Sequence, residues 1–168
     1  MTKTLKAPSS LHASRITLPQ ETRLAVLPLL QTALYATIDL KWRIKQAHWN
    51  IKGPNFIALH NLFDELAAEQ DVHADELAER MTALGGHPIS DIREVASNSI
   101  LGQTPLKATT ANELLTDLAE AYATMHEDFA NSIERSGEAN DSVTEDLFTG
   151  MTRTLAMRLW FIEAHFAN

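Results

Sequence analysis

The 168-residue chain is 45% apolar and 21% charged, with six glycines and six prolines, which bounds it to one globular domain with a single core and room for long helices. It has no cysteine, so disulfides, thiolate metal sites and cysteine nucleophiles are excluded, and any metal must sit on nitrogen and oxygen. A net charge of −8 opposes broad binding to phosphate and suits cations, and no apolar run has the form of a secretory leader or a membrane span, so a soluble cytoplasmic protein is expected.

Residues 1–16, rich in Thr, Ser, Ala and Lys, read as a flexible N-terminal tail, and residues 17–168 as the folded domain. Thr17-Leu18-Pro19-Gln20 has the form of a capping box, and Leu27, Leu30, Leu34, Ile38 and Trp42 then recur at helical spacing, predicting a first helix that ends near His48 with a kink at Pro28. Asn50 to Asn55 is a turn cluster, with Asn55 expected to cap a second helix from Phe56 to about Leu84, closed by Gly85-Gly86. The long connection 85–109, with a short helix expected over Ser90–Ser97, fits a crossover between parallel neighbours. Thr110 and Glu113 form a second capping box before a third helix that Gly137 should stop, and a fourth runs from Asn140-Asp141-Ser142 nearly to the end. The sum is an all-α, ferritin-like four-helix bundle with a short helix in its crossover.

Helix two carries His60, Asp64, Asp75 and Glu79 on one slowly drifting stripe. At ~1.5 Å per residue Asp64 and Asp75 stand about 16 Å apart, too far to share one metal, so a single helix cannot close a site. Two copies meeting antiparallel across a two-fold axis would set His60 and Asp64 of one against Asp75 and Glu79 of the other, with His48 adding a second imidazole from the end of helix one. Two imidazoles and three carboxylates suit iron, manganese or zinc, and carboxylates able to bridge favour iron. No Glu-x-x-His motif occurs, so a di-iron centre inside one chain is not supported.

The run Lys45-Gln46-Ala47-His48-Trp49-Asn50-Ile51-Lys52-Gly53-Pro54-Asn55-Phe56, followed by His60, Asp64, Asp75, Glu79-Arg80, Leu84-Gly85-Gly86, Thr104-Pro105-Leu106-Lys107 and Leu159 to Glu163, closely resembles the Dps family, the DNA-protection-during-starvation proteins of the ferritin superfamily. The resemblance implies a ferroxidase. His48, His60 and Asp64 match metal ligands from one subunit, Asp75 and Glu79 match those of its two-fold mate, and Trp49 lies beside the metals to donate electrons or quench radicals. It further implies iron storage in a hollow dodecamer, Fe(II) as substrate and Fe(III) as product, hydrogen peroxide as preferred oxidant and no organic cofactor. Asp141 and Asp146 resemble pore-lining acids, with helix capping as their plain alternative.

Trp42 and Trp160 are expected in the core. His12, His73, His87, His126 and His165 are expected to be exposed or hydrogen-bonded, with His73 and His165 as outside candidates for extra ligands. The competing function is DNA compaction through the tail, for which Lys3, Lys6 and Arg15 are the only cations, set against an acidic body.

Overall fold

The computed structural model describes residues 11–166, which form α1 (Gln20–Asn50), α2 (Phe56–Ala83), α3 (Ile92–Asn98), α4 (Ala111–Glu138) and α5 (Ser142–Glu163), with no strand among the described residues. The cations Lys3 and Lys6 lie outside them. α1 packs along α2 and α4 along α5, each pair folded back by a short turn, while α3 rests on α1.

The crossover fixes the topology. Gln31 bonds both backbone groups of Ile89 at 2.9 Å, Arg43 donates to the Gly102 carbonyl, and the Lys52 amide donates to the Thr109 carbonyl at 3.0 Å. Residues 89, 102 and 109 therefore advance alongside residues 31, 43 and 52, delivering α4 to the C-terminal end of α1. At the other end the Thr22 hydroxyl donates to the Ala139 carbonyl at 3.0 Å, so α4 runs antiparallel to α1 and parallel to α2. Arg43 also pairs with Asp117 at 3.2 Å, and Thr104 donates to the same carboxylate at 2.8 Å, tying crossover, α1 and α4 together.

Leu30, Leu40, Ile44, Phe63, Leu66, Tyr122, Met125, Phe129, Phe148 and Leu155 are fully buried between the four long helices, and Phe129 meets Phe148 edge-on at 5.4 Å. One 18-residue window of α1 is long and apolar enough to cross a membrane, contrary to the sequence reading, but 61% of it is buried against the rest of the bundle. Its apolar side chains are spent on the core.

Local signals were obeyed unevenly. The Thr110–Glu113 capping box forms with both reciprocal bonds. Its counterpart at Thr17 does not, because α1 begins only at Gln20, with Pro19 preceding it and no side-chain cap. Asn55 occupies the cap position of α2 without a side-chain bond, while Asp91 caps the short α3, two residues later than expected. Gly85, at φ +83°, closes α2, and a Cβ there would stand 2.5 Å from the His12 carbonyl oxygen. Gly137 does not stop α4. The left-handed residue is Asn140 at φ 62°, and the Asp141 amide reaches back to the Ser136 carbonyl at 3.0 Å.

Three expectations about burial are corrected. Trp42 and Trp160 are 50% and 64% exposed in the single chain. Each four-residue step advances a helix position by about 40° from the last, so Leu34 is buried, Ile38 partly covered and Trp42 carried out of the core. Trp160 lies about 200° around α5 from fully buried Ile162. His73 is 6% exposed, and its Nδ1 is buried without a partner. Part of the segment assigned to the tail is also docked: the His12 amide donates to the Gly85 carbonyl at 2.8 Å and the Ser14 hydroxyl to the Ala83 carbonyl at 3.2 Å.

Candidate metal centre

The short turn 51–55, anchored by buried Ile51 and Leu59, folds the start of α2 against the end of α1 and brings His48 beside His60. The two rings stack at 3.7 Å between centroids, 22° from parallel. Their partners are reciprocal: Nδ1 of His48 stands 2.8 Å from the His60 carbonyl oxygen and Nδ1 of His60 stands 3.0 Å from the His48 carbonyl oxygen. A carbonyl only accepts, so each Nδ1 carries the proton and each Nε2 keeps the lone pair a metal requires. Two backbone carbonyls thus fix both tautomers and both ring orientations.

Asp64, one turn beyond His60, is exposed and accepts from Lys45 Nζ at 2.8 Å. That hydrogen bond and the lysine charge hold its carboxyl below the usual carboxylate range. Lys45 projects from α1 one turn before His48, so a built-in cation occupies the carboxylate an incoming metal would use. Replacing it by Lys45→Gln is expected to tighten Co2+ binding by less than about tenfold, since the competing pair is solvent-exposed; isothermal titration of both proteins measures this. An unchanged or weaker affinity would deny Lys45 the role of competitor.

Asp75 and Glu79 lie farther along α2, both exposed. Among the described residues of one chain, no three His, Asp or Glu side chains are gathered to hold a metal ion. The chain brings His48 and His60 together with Asp64 a turn away, and leaves Asp75 and Glu79 apart. Trp49 is 63% exposed, with Trp42 at 6.4 Å and Lys45 Nζ 5.8 Å from its ring. His165 is exposed with its Nδ1 on the Phe161 carbonyl at 2.8 Å.

Asp141 is not a surface acid. It is fully buried, caps α5 by accepting from the Thr144 amide at 3.1 Å, and accepts from Arg80 Nη2 at both carboxylate oxygens, at 2.7 and 2.9 Å. It cannot line a pore in this chain. Asp146 is exposed. Sequence reasoning passed over Lys45 and Arg80, although both sat inside the quoted motifs. A cation three residues before one ligand and another directly after Glu79 were the available signals.

Two antiparallel helix pairs joined by a long crossover, with an imidazole and carboxylate edge, define a ferritin-like bundle, and residues 28–168 match the ferritin-like domain. The chain is 38% identical over 154 residues to the DNA protection during starvation protein of Agrobacterium fabrum, covering 92% of this chain and 95% of that one. Among solved structures it is similar to DpsC from Streptomyces coelicolor, with a TM-score of 0.91, 29% identity and coverage of 99% and 97%. It is similar also to Dps from Mycobacterium smegmatis, at 0.88, 29%, 93% and 95%. The chain belongs to the Dps family of ferritin-like proteins.

Proposed function

We propose that the protein is a cytoplasmic ferroxidase and iron store that oxidises Fe(II), preferably with hydrogen peroxide, at a centre shared between two copies and keeps the Fe(III) in a hollow dodecamer. The observation that carries this reading is the His48–His60 pair, locked through Nδ1 so that two Nε2 lone pairs stay free, with Asp64 one turn beyond His60.

His48, His60 and Asp64 form one half of the centre, and Asp75 and Glu79 of a two-fold mate form the other. Imidazole nitrogen retains Fe(II), while carboxylate oxygens favour the more highly charged Fe(III). Each hydrogen peroxide accepts two electrons, one from each of two Fe(II), and its O–O bond breaks to two hydroxides. No hydroxyl radical is released on this route. Exposed Trp49 stands next to the centre as a donor for any stray oxidant.

Asp75→Ala with Glu79→Ala is expected to reduce peroxide-driven iron oxidation by at least about a hundredfold, on the scale of losing metal ligands and the groups that orient them. Stopped-flow absorbance on an intact oligomer, with iron per chain measured after loading, tests this. A parent rate in the double variant would show that the centre lies elsewhere.

DNA shielding is the second reading, supported by the name of the Agrobacterium relative. Docking of His12 and Ser14 onto the end of α2 leaves fewer residues free to reach phosphate, and Arg15 sits directly beside the docked stretch. A gel shift at low salt separates a DNA role from iron oxidation, which does not depend on it.

A further inference from the structure

Trp42 and Trp49 stand about two turns apart on α1, so their rings share a face and approach to 6.4 Å between centroids. Neither is spent on the core, at 50% and 63% exposed. Each carries an ammonium over its ring, with Lys41 Nζ 5.3 Å from Trp42 and Lys45 Nζ 5.8 Å from Trp49. Such a charge attracts a neutral indole and opposes a positive hole on it. Each ammonium is held in turn by a carboxylate, Lys41 by Asp71 and Lys45 by Asp64. A metal acts on the two pairs differently. Asp64 is a proposed ligand, so bound iron draws it from Lys45 and leaves a bare charge beside Trp49. Asp71 is no ligand and stays with Lys41.

We propose that Trp42 is the terminal electron donor of a two-indole relay, oxidised through Trp49 when peroxide meets a centre holding a single Fe(II). This rests on the proposed function, because the oxidant arises there. Hydrogen peroxide takes two electrons as its O–O bond breaks, and a lone Fe(II) supplies only one. Trp49, next to His48, supplies the second. Trp42 then reduces Trp49, since a hole is less opposed beside the paired Lys41 than beside the unpaired Lys45. The indole proton of Trp42 ends on one of the two hydroxides. Fe2+, H2O2 and Trp42 thus give Fe3+, OH−, H2O and a neutral Trp42 radical. Oxidation is carried away from His48 and His60, the ligands it would otherwise damage.

Loading the full-length, assembled protein with one Fe(II) per chain, adding peroxide in air and mapping oxidised tryptophan by peptide mass spectrometry tests the relay. Dioxygen converts an indole radical to a stable oxidised ring, so the map records where the hole rests. Product is expected mainly at Trp42. It should move to Trp49 in Trp42→Phe and be lost from Trp42 in Trp49→Phe. The excess at Trp42 should also be lost in Asp71→Asn, which strips Lys41 of its partner while keeping both indoles and so serves if Trp42→Phe fails to assemble. Product at Trp42 that survives Trp49→Phe, or that is matched at Trp160, 64% exposed and outside the pair, marks a diffusing oxidant and overturns the relay. Azide radicals made by pulse radiolysis oxidise indoles in the Zn2+-loaded protein without iron or peroxide. There too product should favour Trp42 over the more exposed Trp49. A division that follows exposure overturns the relay even where iron oxidation is intact, and Trp42 product without iron oxidation faults the proposed function alone.

Discussion

Co-assembling two inactive variants should restore about a quarter of the parent's iron oxidation. One variant carries His48→Ala and His60→Ala, the other Asp75→Ala and Glu79→Ala, and each alone should be inactive. If each centre draws His48, His60 and Asp64 from one chain and Asp75 and Glu79 from its two-fold mate, a mixed dimer places all the damage in one of its two centres. The other centre is then whole. Random pairing of equal amounts makes about half the dimers mixed, each with one of two centres intact, which gives the factor of about one quarter. A centre built inside one chain predicts no recovery at any mixing ratio, because every chain then carries a fatal change. Stopped-flow rates against mixing ratio should rise and fall symmetrically with a maximum at equal amounts, and a flat, inactive profile would end the shared-centre reading.

The structural basis for that expectation is negative as well as positive. Reciprocal Nδ1 bonds fix two imidazoles and leave Asp64 a turn away, yet nothing in the same chain brings a second carboxylate pair to them. The exposed edge is also rich in apolar and aromatic surface: Trp49 and Ile57 are each 63% exposed, Trp42 50% and Phe56 43%. Large apolar groups clustered beside half a ligand set are what a self-complementary contact would cover.

Much of this was legible in the residues because the signals were local. Period and turn chemistry placed all four long helices, and the Thr110–Glu113 box marked the start of α4 because both partners lie within one turn. Spacing along α2 was enough to show that Asp64 and Asp75 cannot share a metal within one chain. What failed depended on packing. The apolar run Leu34, Ile38, Trp42 fits a helical pattern, but its drift around α1 carries Trp42 half into solvent. Conversely, His73 resembles any polar residue on a charged helix, and only the approach of α5 buries it. The Thr17 box had the right letters, yet the helix started two residues later than it implies. Asp141 offered two readings that sequence could not separate, because its Arg80 partner is 61 residues away and on another helix.

Asp141→Ala should destabilise the protein by about 3–5 kcal/mol, because it leaves the Arg80 charge, 12% exposed, without its partner. Arg80 Nε donates to the Thr144 hydroxyl at 2.9 Å, and that hydroxyl donates to Asp141 at 2.6 Å, so three residues close one network at the start of α5. Asp141→Ser retains an oxygen for the Thr144 amide and should recover the capping part, about 1 kcal/mol. The double change Arg80→Leu/Asp141→Ser should cost less than the sum of the singles, since no lone buried charge remains. Denaturant unfolding of the parent, Arg80→Leu, Asp141→Ser and the double change checks this, and additive costs would show that the pair is not coupled. Acid supplies an independent test. Burial acts to raise the Asp141 carboxyl, but the hydrogen bonds from Thr144 and Arg80 outweigh it and hold it below its ordinary value. The stabilisation is therefore complete above the unfolded value near ~3.9 and is lost as pH falls through the folded one. The gap in stability between parent and Asp141→Ser should stay constant from neutral pH down to about 5 and close below about 4. Because Arg80 directly follows Glu79, the same network clamps the stretch of α2 that carries a proposed iron ligand. A variant that still assembles should then oxidise iron more slowly even at a temperature where it remains folded.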